Sequence, residues 1–262
     1  MFTKEFLKEQ IRAMGILPTD TVLIHTSMRA IGQVENGADG VIDAFREVLS
    51  DGLFLVPTHT WGNVNRETPH YDVRTTPSCI GALPTAAVFR KDGFRSLHPS
   101  HSIWGYGKNA EEFLRGEEKL LDPMPPGSAW SRLAEVGAKI LLLGVENNRN
   151  TFIHAVDEWM DLPDRLVNPD YTKYIHDVNG NVYETRMKIH HCSKTNDVSR
   201  YFVNFEKPLV ELGAQGFGKF GNAEVRIVDA AKCRDVICKI WKHADRDICV
   251  DYMEIPEEWY KD

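Results

Sequence analysis

Two rhythms of apolar and polar positions run along the chain, and the changes between them mark out its elements. Phe6, Leu7, Ile11 and Met14 recur at helical spacing behind a Thr3 cap, and Gly15 ends that helix. After a turn at Pro18, Thr19 and Asp20, TVLIHT from Thr21 to Thr26 is a continuous apolar run that predicts a buried strand. It breaks into Ser27, Met28, Arg29 and a loop containing Gly32. Val41, Ile42, Phe45, Val48 and Leu49 then mark one face of a second helix, Asp51-Gly52 stops it, and LFLVPT supplies the next strand. Strand, helix and strand with short connections predict an α/β layer with a largely parallel sheet.

Beyond Thr58 the rhythm is lost. HTWGNVNRETPHYD is polar, aromatic and punctuated by Gly and Pro, the composition of an excursion that lines a site. A helix is expected to begin near Gly81, followed by a turn-rich RSLHPSHSIWGYG, a short polar helix in GKNAEEFLRG and a rigid DPMPPGSAW loop. Leu133 to Val136 end another helix before a strand from Ile140 to Leu143, which leaves through Gly144. YTKYIHDVNGNVYETRMKIHH predicts two strands joined at Asn179-Gly180, a hairpin inserted around residues 170–192. Asn196 to Leu212 read as helix, and GFGKFGNAEVRIVDAAKCRDVICKIWKHA as a loop, a short strand and a final helix. With no repeat and no linker, the expectation is one domain over residues 1–262.

Charge and composition narrow the partners. A formal net charge of −7, without a cluster of Lys and Arg, argues against nucleic acid. No apolar run reaches the roughly 20 residues of a membrane span, and the charged N-terminus is unlike a signal peptide. Five scattered cysteines without a CxxC pair fit free thiols in a reducing compartment, so a cytoplasmic location is expected.

The strongest candidate chemistry lies in LLLGVENNRNTFIHAVDEW, Leu141 to Trp159. On its helix His154 shares a face with Asp157 and Glu158, three and four residues on. An imidazole beside a carboxylate forms a general base, and it equally forms a surface ion pair. The histidines offer no metal-type spacing: His98-Pro99-Ser100-His101 is not a helical pair, and His190 and His191 point to opposite faces of a strand. No metal is expected. Ser27 and Ser100 lie in turns but without a nucleophile elbow. The HTSMRAIG and PPGSAW turns offer backbone N–H groups to a phosphate or a pantetheine arm.

Taken together and in order, HTSMRAIG, TPSCIGALP, RSLHPSHS, PPGSAW, LLLGVENNRNTFIHAVDEW and GKFGNAEVRIVDA resemble the aminoglycoside 3-N-acetyltransferase family. The resemblance runs from about Thr19 to Trp241. It implies a three-layer α/β/α fold around a mixed, largely parallel sheet, and acetyl transfer from acetyl-CoA to an amine. Its substrate class is the 2-deoxystreptamine aminoglycosides, modified on the 3-amino group, and its biological role is antibiotic resistance. By position, His154 corresponds to the catalytic histidine. Asp157 stands where the family has a glutamate, with Glu158 as an alternative orienting carboxylate. Asn148 stands where many members carry an aspartate that grips the substrate, so Asn148 and Asp157 form the substrate-binding set. Ser27, Met28, Arg29, Ser96, His98, Pro99 and Ser128 fall in loops that surround the coenzyme. Asp197 matches an acidic position near the histidine, and His190 or His191 is expected to assist, with His191 taken into the catalytic set.

The expected partners are a small-molecule amine and coenzyme A, a homo-oligomer also being admissible. The mechanism implied is direct attack of the amine on the thioester, with His154 taking the proton and backbone N–H groups of the HTSMRAIG or HPSHS loop stabilising the oxyanion. The same chemistry on a different amine, a metal-dependent or serine hydrolase, and a non-catalytic coenzyme-A-binding relative are the competing readings.

Overall fold

Residues 1–261 are described by the structure, a computed structural model. In chain order the strands are β1 (Thr21–Thr26), β2 (Leu53–Pro57), β3 (His70–Asp72), β4 (Phe94–Arg95), β5 (Ile103–Gly107) and β6 (Lys139–Leu143), then β7 (Leu166–Val167), β8 (Lys173–His176), β9 (Val182–Thr185), β10 (Ile189–His190), β11 (Gln215–Phe220) and β12 (Ala223–Asp229). The helices are α1 (Lys4–Ala13), α2 (Met28–Ile31), α3 (Gly37–Val48), α4 (Ala82–Phe89), α5 (Ala110–Phe113), α6 (Ala129–Glu135), α7 (Phe152–Trp159), α8 (Glu206–Glu211) and α9 (Ala230–His243).

Seven strands form the main sheet in the order β11-β12-β6-β1-β2-β5-β4. Its centre, β2-β1-β6, is parallel, and the flanking pairs are antiparallel. Five of the seven strands therefore run in one direction, in a mixed sheet whose parallel pairings are confined to the centre. Side chains alternate between the two faces, as a pleated strand requires. Val22, Ile24, Phe54, Val56, Leu141 and Leu143 meet α1, α3 and α4 on one face. Leu23, Leu53, Leu55, Ile140 and Leu142 meet the layer of α5 to α9 on the other. Burial on both sides is why these strands read as unbroken apolar runs. Each fully buried Leu or Ile contributes about 1.5–3 kcal/mol, which sets the three layers together.

The predicted cap is in place: Thr3 Oγ1 accepts the Phe6 N–H at 3.3 Å. The hairpin is also present, with β8 and β9 joined at Asn179-Gly180 and β3 added beside β8. Here Gly180 takes φ +86°, and Asp177 accepts the Asn179 and Asn181 N–H groups.

Three segments depart from expectation. GFGKF belongs to a strand, β11, which pairs along six residues from Gln215 with β12 and is turned by Gly221 at φ +60°. Its glycines mask the strand signal, and as an edge strand it buries only Gln215 and Phe220. The turn-rich stretch after Arg95 contains β5, where Gly105 lies against Leu114 and Leu55. The 196–212 segment is helical but divided into a 3-10 stretch, Val198–Phe205, and the short α8.

Candidate active site

Parallel strands carry their loops to a common edge, and the chain changes direction at β1. It leaves β1 for β2 on one side and returns as β6 on the other, which creates a crevice at the carboxyl ends of the three strands. A cavity of about 850 Å³ opens there, lined by Thr26 at the end of β1, His59 after β2, residues of the loop from Val145 to Thr151 after β6, and His190 from the satellite strands.

His154 sits one turn into α7, facing the cavity. The approach is fixed in two ways. Gly144 turns β6 outward at φ +69°, where an added Cβ would stand 2.3 Å from Ala30 Cβ. Asn147 then donates to Gln215 Oε1 at 2.9 Å, which pins the 3-10 turn that leads into α7. The His154 ring lies face to face with His190, centroids 4.5 Å apart at 14°, and meets the Phe202 ring edge-on at 4.7 Å. Burial holds its pKa well below the ordinary imidazole value, and the neighbouring His190, His59 and Arg165 act in the same direction. At pH 7 the ring is therefore neutral, with one nitrogen able to accept a proton.

Neither carboxylate on α7 binds that ring. Asp157 is 1% exposed and faces away, accepting from Trp241 Nε1 at 3.0 Å and from Arg165 Nε at 3.4 Å. Burial pushes its carboxyl up to about 7, against the pull of Arg165 and Trp241. Asp157 therefore holds α7 to α9 and does not reach the cavity. Glu158 Oε1 accepts from His190 Nε2 at 2.9 Å, and Oε2 accepts the Met124 N–H. The imidazole–carboxylate pair of this site is thus His190–Glu158, with His154 stacked on it.

Strand alternation separates the two neighbouring histidines. His190 is inside, whereas His191 is at the rim, nearly half-exposed and 3.5 Å from Asp164. Asp197 also reaches the rim, where its carboxylate caps the 3-10 stretch by accepting the Ser199 N–H. Asn148 lines the cavity.

The residues expected around the coenzyme divide. Ser27, Met28 and Arg29 adjoin the cavity-lining Thr26, with Ser27 capping α2 and Arg29 exposed. Ser96, His98, Pro99 and Ser128 are buried away from the cavity surface and serve the fold. His98 Nδ1 accepts the N–H groups of Ser100 and His101, and Nε2 donates to Pro123 O. Those two amides are therefore unavailable as an oxyanion hole. Ser128 Oγ caps α6 through the Ser131 N–H.

The sequence did not single out His25, His59 or Lys173, all of which line the cavity. His59 and His101 rings lie 4.8 Å apart, and His101 and His190 rings 4.9 Å apart, which joins them to His154 in one imidazole cluster. The Nε2 atoms of His25 and His59 are buried without a hydrogen-bond partner. Burial alone pushes His25 down to about 3. The position of His25 and His59 at or just past the carboxyl ends of apolar strands was the available signal. Among the described residues no group of three His, Cys, Asp or Glu is arranged to hold a metal ion.

Known proteins are similar to this chain in sequence and in fold. Aminoglycoside N(3)-acetyltransferase III of Salmonella sp is 28% identical over 251 residues, covering 89% of this chain and 86% of that protein. Aminoglycoside N(3)-acetyltransferase VII of Streptomyces paromomycinus is 31% identical over 179 residues, 62% of either chain. Among solved structures, aminoglycoside acetyltransferase AAC(3)-Xa superposes with a TM-score of 0.78 at 28% identity, covering 94% of this chain and 95% of its own. AAC-IIIb, solved as a binary complex with CoASH, shares the fold with a TM-score of 0.76 at 22% identity, over 89% and 94% of the two chains. The aminoglycoside 3-N-acetyltransferase family model matches residues 23–242, and the chain belongs to that family.

Proposed function

We propose that the protein transfers the acetyl group of acetyl-CoA to an amino group of a small molecule, with His154 as general base. The names of its relatives support the 3-amino group of a 2-deoxystreptamine aminoglycoside as acceptor. The observation that carries the reading is the His154 ring: neutral, turned to the cavity and without a hydrogen bond to any described residue.

The amine nitrogen attacks the thioester carbonyl carbon, forming the C–N bond as the carbonyl electron pair moves to oxygen. Attack makes the nitrogen cationic and its proton acidic, and the His154 ring, kept neutral by burial, is free to accept that proton. Collapse of the adduct breaks the C–S bond and releases coenzyme A as thiolate, which takes up the proton. Both substrates held side by side supply the proximity, so no acetylated side chain is required. Glu158 accepts the Nε2 proton of His190 and so fixes the flat ring on which His154 lies. Asp157 contributes by anchoring α7.

Release of free thiol from acetyl-CoA in the presence of an amine tests this directly. His154→Ala is expected to lower kcat by about 10²–10⁴-fold, the usual contribution of a general base, with the circular dichroism spectrum unchanged. Normal turnover in that variant would sink the role assigned to His154.

A second reading concerns the acceptor alone. Among the described residues the cavity lining contains a single carboxylate, Asp197, against the cations Arg149 and Lys173, and Asn148 is uncharged. Such a lining favours an amine less cationic than an aminoglycoside. Turnover of gentamicin-type compounds set against simpler amines decides between the two acceptor classes.

A further inference from the structure

Lys173 opens β8, and its side chain belongs to the buried face of that strand together with Ile175. It is 1% exposed, at a place where alternation calls for an apolar residue. Lysines are almost never so buried unless paired, yet the Lys173 ammonium has no hydrogen bond and no carboxylate within ion-pair distance among the described residues. The Tyr171 ring centroid lies 5.8 Å from its Nζ. The neutral His98 imidazole is nearby and supplies no counter-charge. Burial lowers the ammonium to about 8, so the cation persists at pH 7 at the expense of an uncompensated desolvation. Both Lys173 and Tyr171 line the cavity, and so does Arg149, which is exposed and also without a carboxylate partner among the described residues.

We propose that Lys173 is the cation of an anion-binding subsite in the cavity wall, and that a carboxylate or phosphate group of the bound ligand completes it. The two sources considered, the coenzyme's phosphates and an acidic group on the acceptor, rest on the acetyl-transfer reading; the subsite does not.

Calorimetric titration of the full chain at pH 7 separates the cases, using wild type, Lys173→Met and Lys173→Arg. One pair of probes is acetyl-CoA and S-acetylpantetheine, which lacks the phosphates. The other is glucosamine 6-phosphate and glucosamine. Lys173→Met is expected to weaken the anionic member of one pair at least tenfold while the other member stays within twofold, and Lys173→Arg is expected to restore most of the loss. Loss confined to acetyl-CoA assigns the anion to the coenzyme, and loss confined to the sugar phosphate assigns it to the acceptor. Equal affinities in wild type and Lys173→Met, or equal loss for both members of each pair, overturns the subsite. Lys173→Gln replaces the methionine variant if that one does not fold. Lys173-dependent binding without any thiol release in wild type would reject the acetyl-transfer reading and leave the subsite standing.

Discussion

Asp157 and Glu158 are adjacent, yet α7 turns them about 100° apart and gives them separate tasks. Helical spacing made both visible as partners for His154. It could not show that Arg165 and Trp241, eight and 84 residues further on, would claim Asp157. Nor could it show that β10 would bring His190 to Glu158. Spacing along one helix reports which side chains share a face and is silent on what other elements press against it. The two carboxylates should therefore separate experimentally. Asp157→Asn is expected to cost about 1–3 kcal/mol of stability through the buried partners it leaves, read as a lower Tm, with kcat changed little. Glu158→Gln is expected to lower kcat/KM by less than the about 10²–10⁴-fold of His154 itself, with Tm nearly unchanged. A reversal of the two outcomes would return the orienting role to Asp157.

The elements divide into those the sequence shows and those it hides. β1, β2 and β6 were legible because a strand buried on both faces must be apolar throughout. β11 and β5 were hidden by glycines that remove the β-branched signal, although the Gly221-Asn222 pair marks a hairpin turn. Gly144 links this scale to the site, since its left-handed turn aims the loop that ends in α7. Gly144→Ala must adopt φ +69° and displace Ala30. The expected loss is about 2 kcal/mol or more, visible as a lower urea midpoint, together with reduced kcat/KM. An unchanged midpoint would mean that the loop tolerates another path.

At the scale of the molecule, the imidazole cluster makes stability depend on pH. His25 and His98 are pushed down to about 3, and His59, His101 and His154 are also lowered, chiefly by burial. Between pH 6.5 and about 3 the unfolded chain binds these protons and the folded chain does not, so stability is present above 6.5 and is lost on acidification. Asp157 and Glu117, both pushed up to about 7, act oppositely, because the folded state holds their protons from 7 down to the ordinary carboxylate range. Five imidazoles outweigh two carboxyls. Thermal melting is therefore expected to show Tm falling steadily from pH 6.5 to 4.5. A flat profile over that range would mean the cluster takes up protons without unfolding.

The place of β1 at the centre of the sheet has a further consequence for the order in which a growing chain can complete itself. Its two neighbours differ greatly in sequence distance: β2 follows within thirty-odd residues, and β6 begins at Lys139. Until β6 arrives, a nascent chain carries an open backbone edge along TVLIHT, flanked by apolar side chains on both faces. Such an edge is a template for pairing with other chains. A ribosome stalled before Lys139, or a nick in the DPMPPGSAW loop, should yield an aggregating fragment and not a folded half.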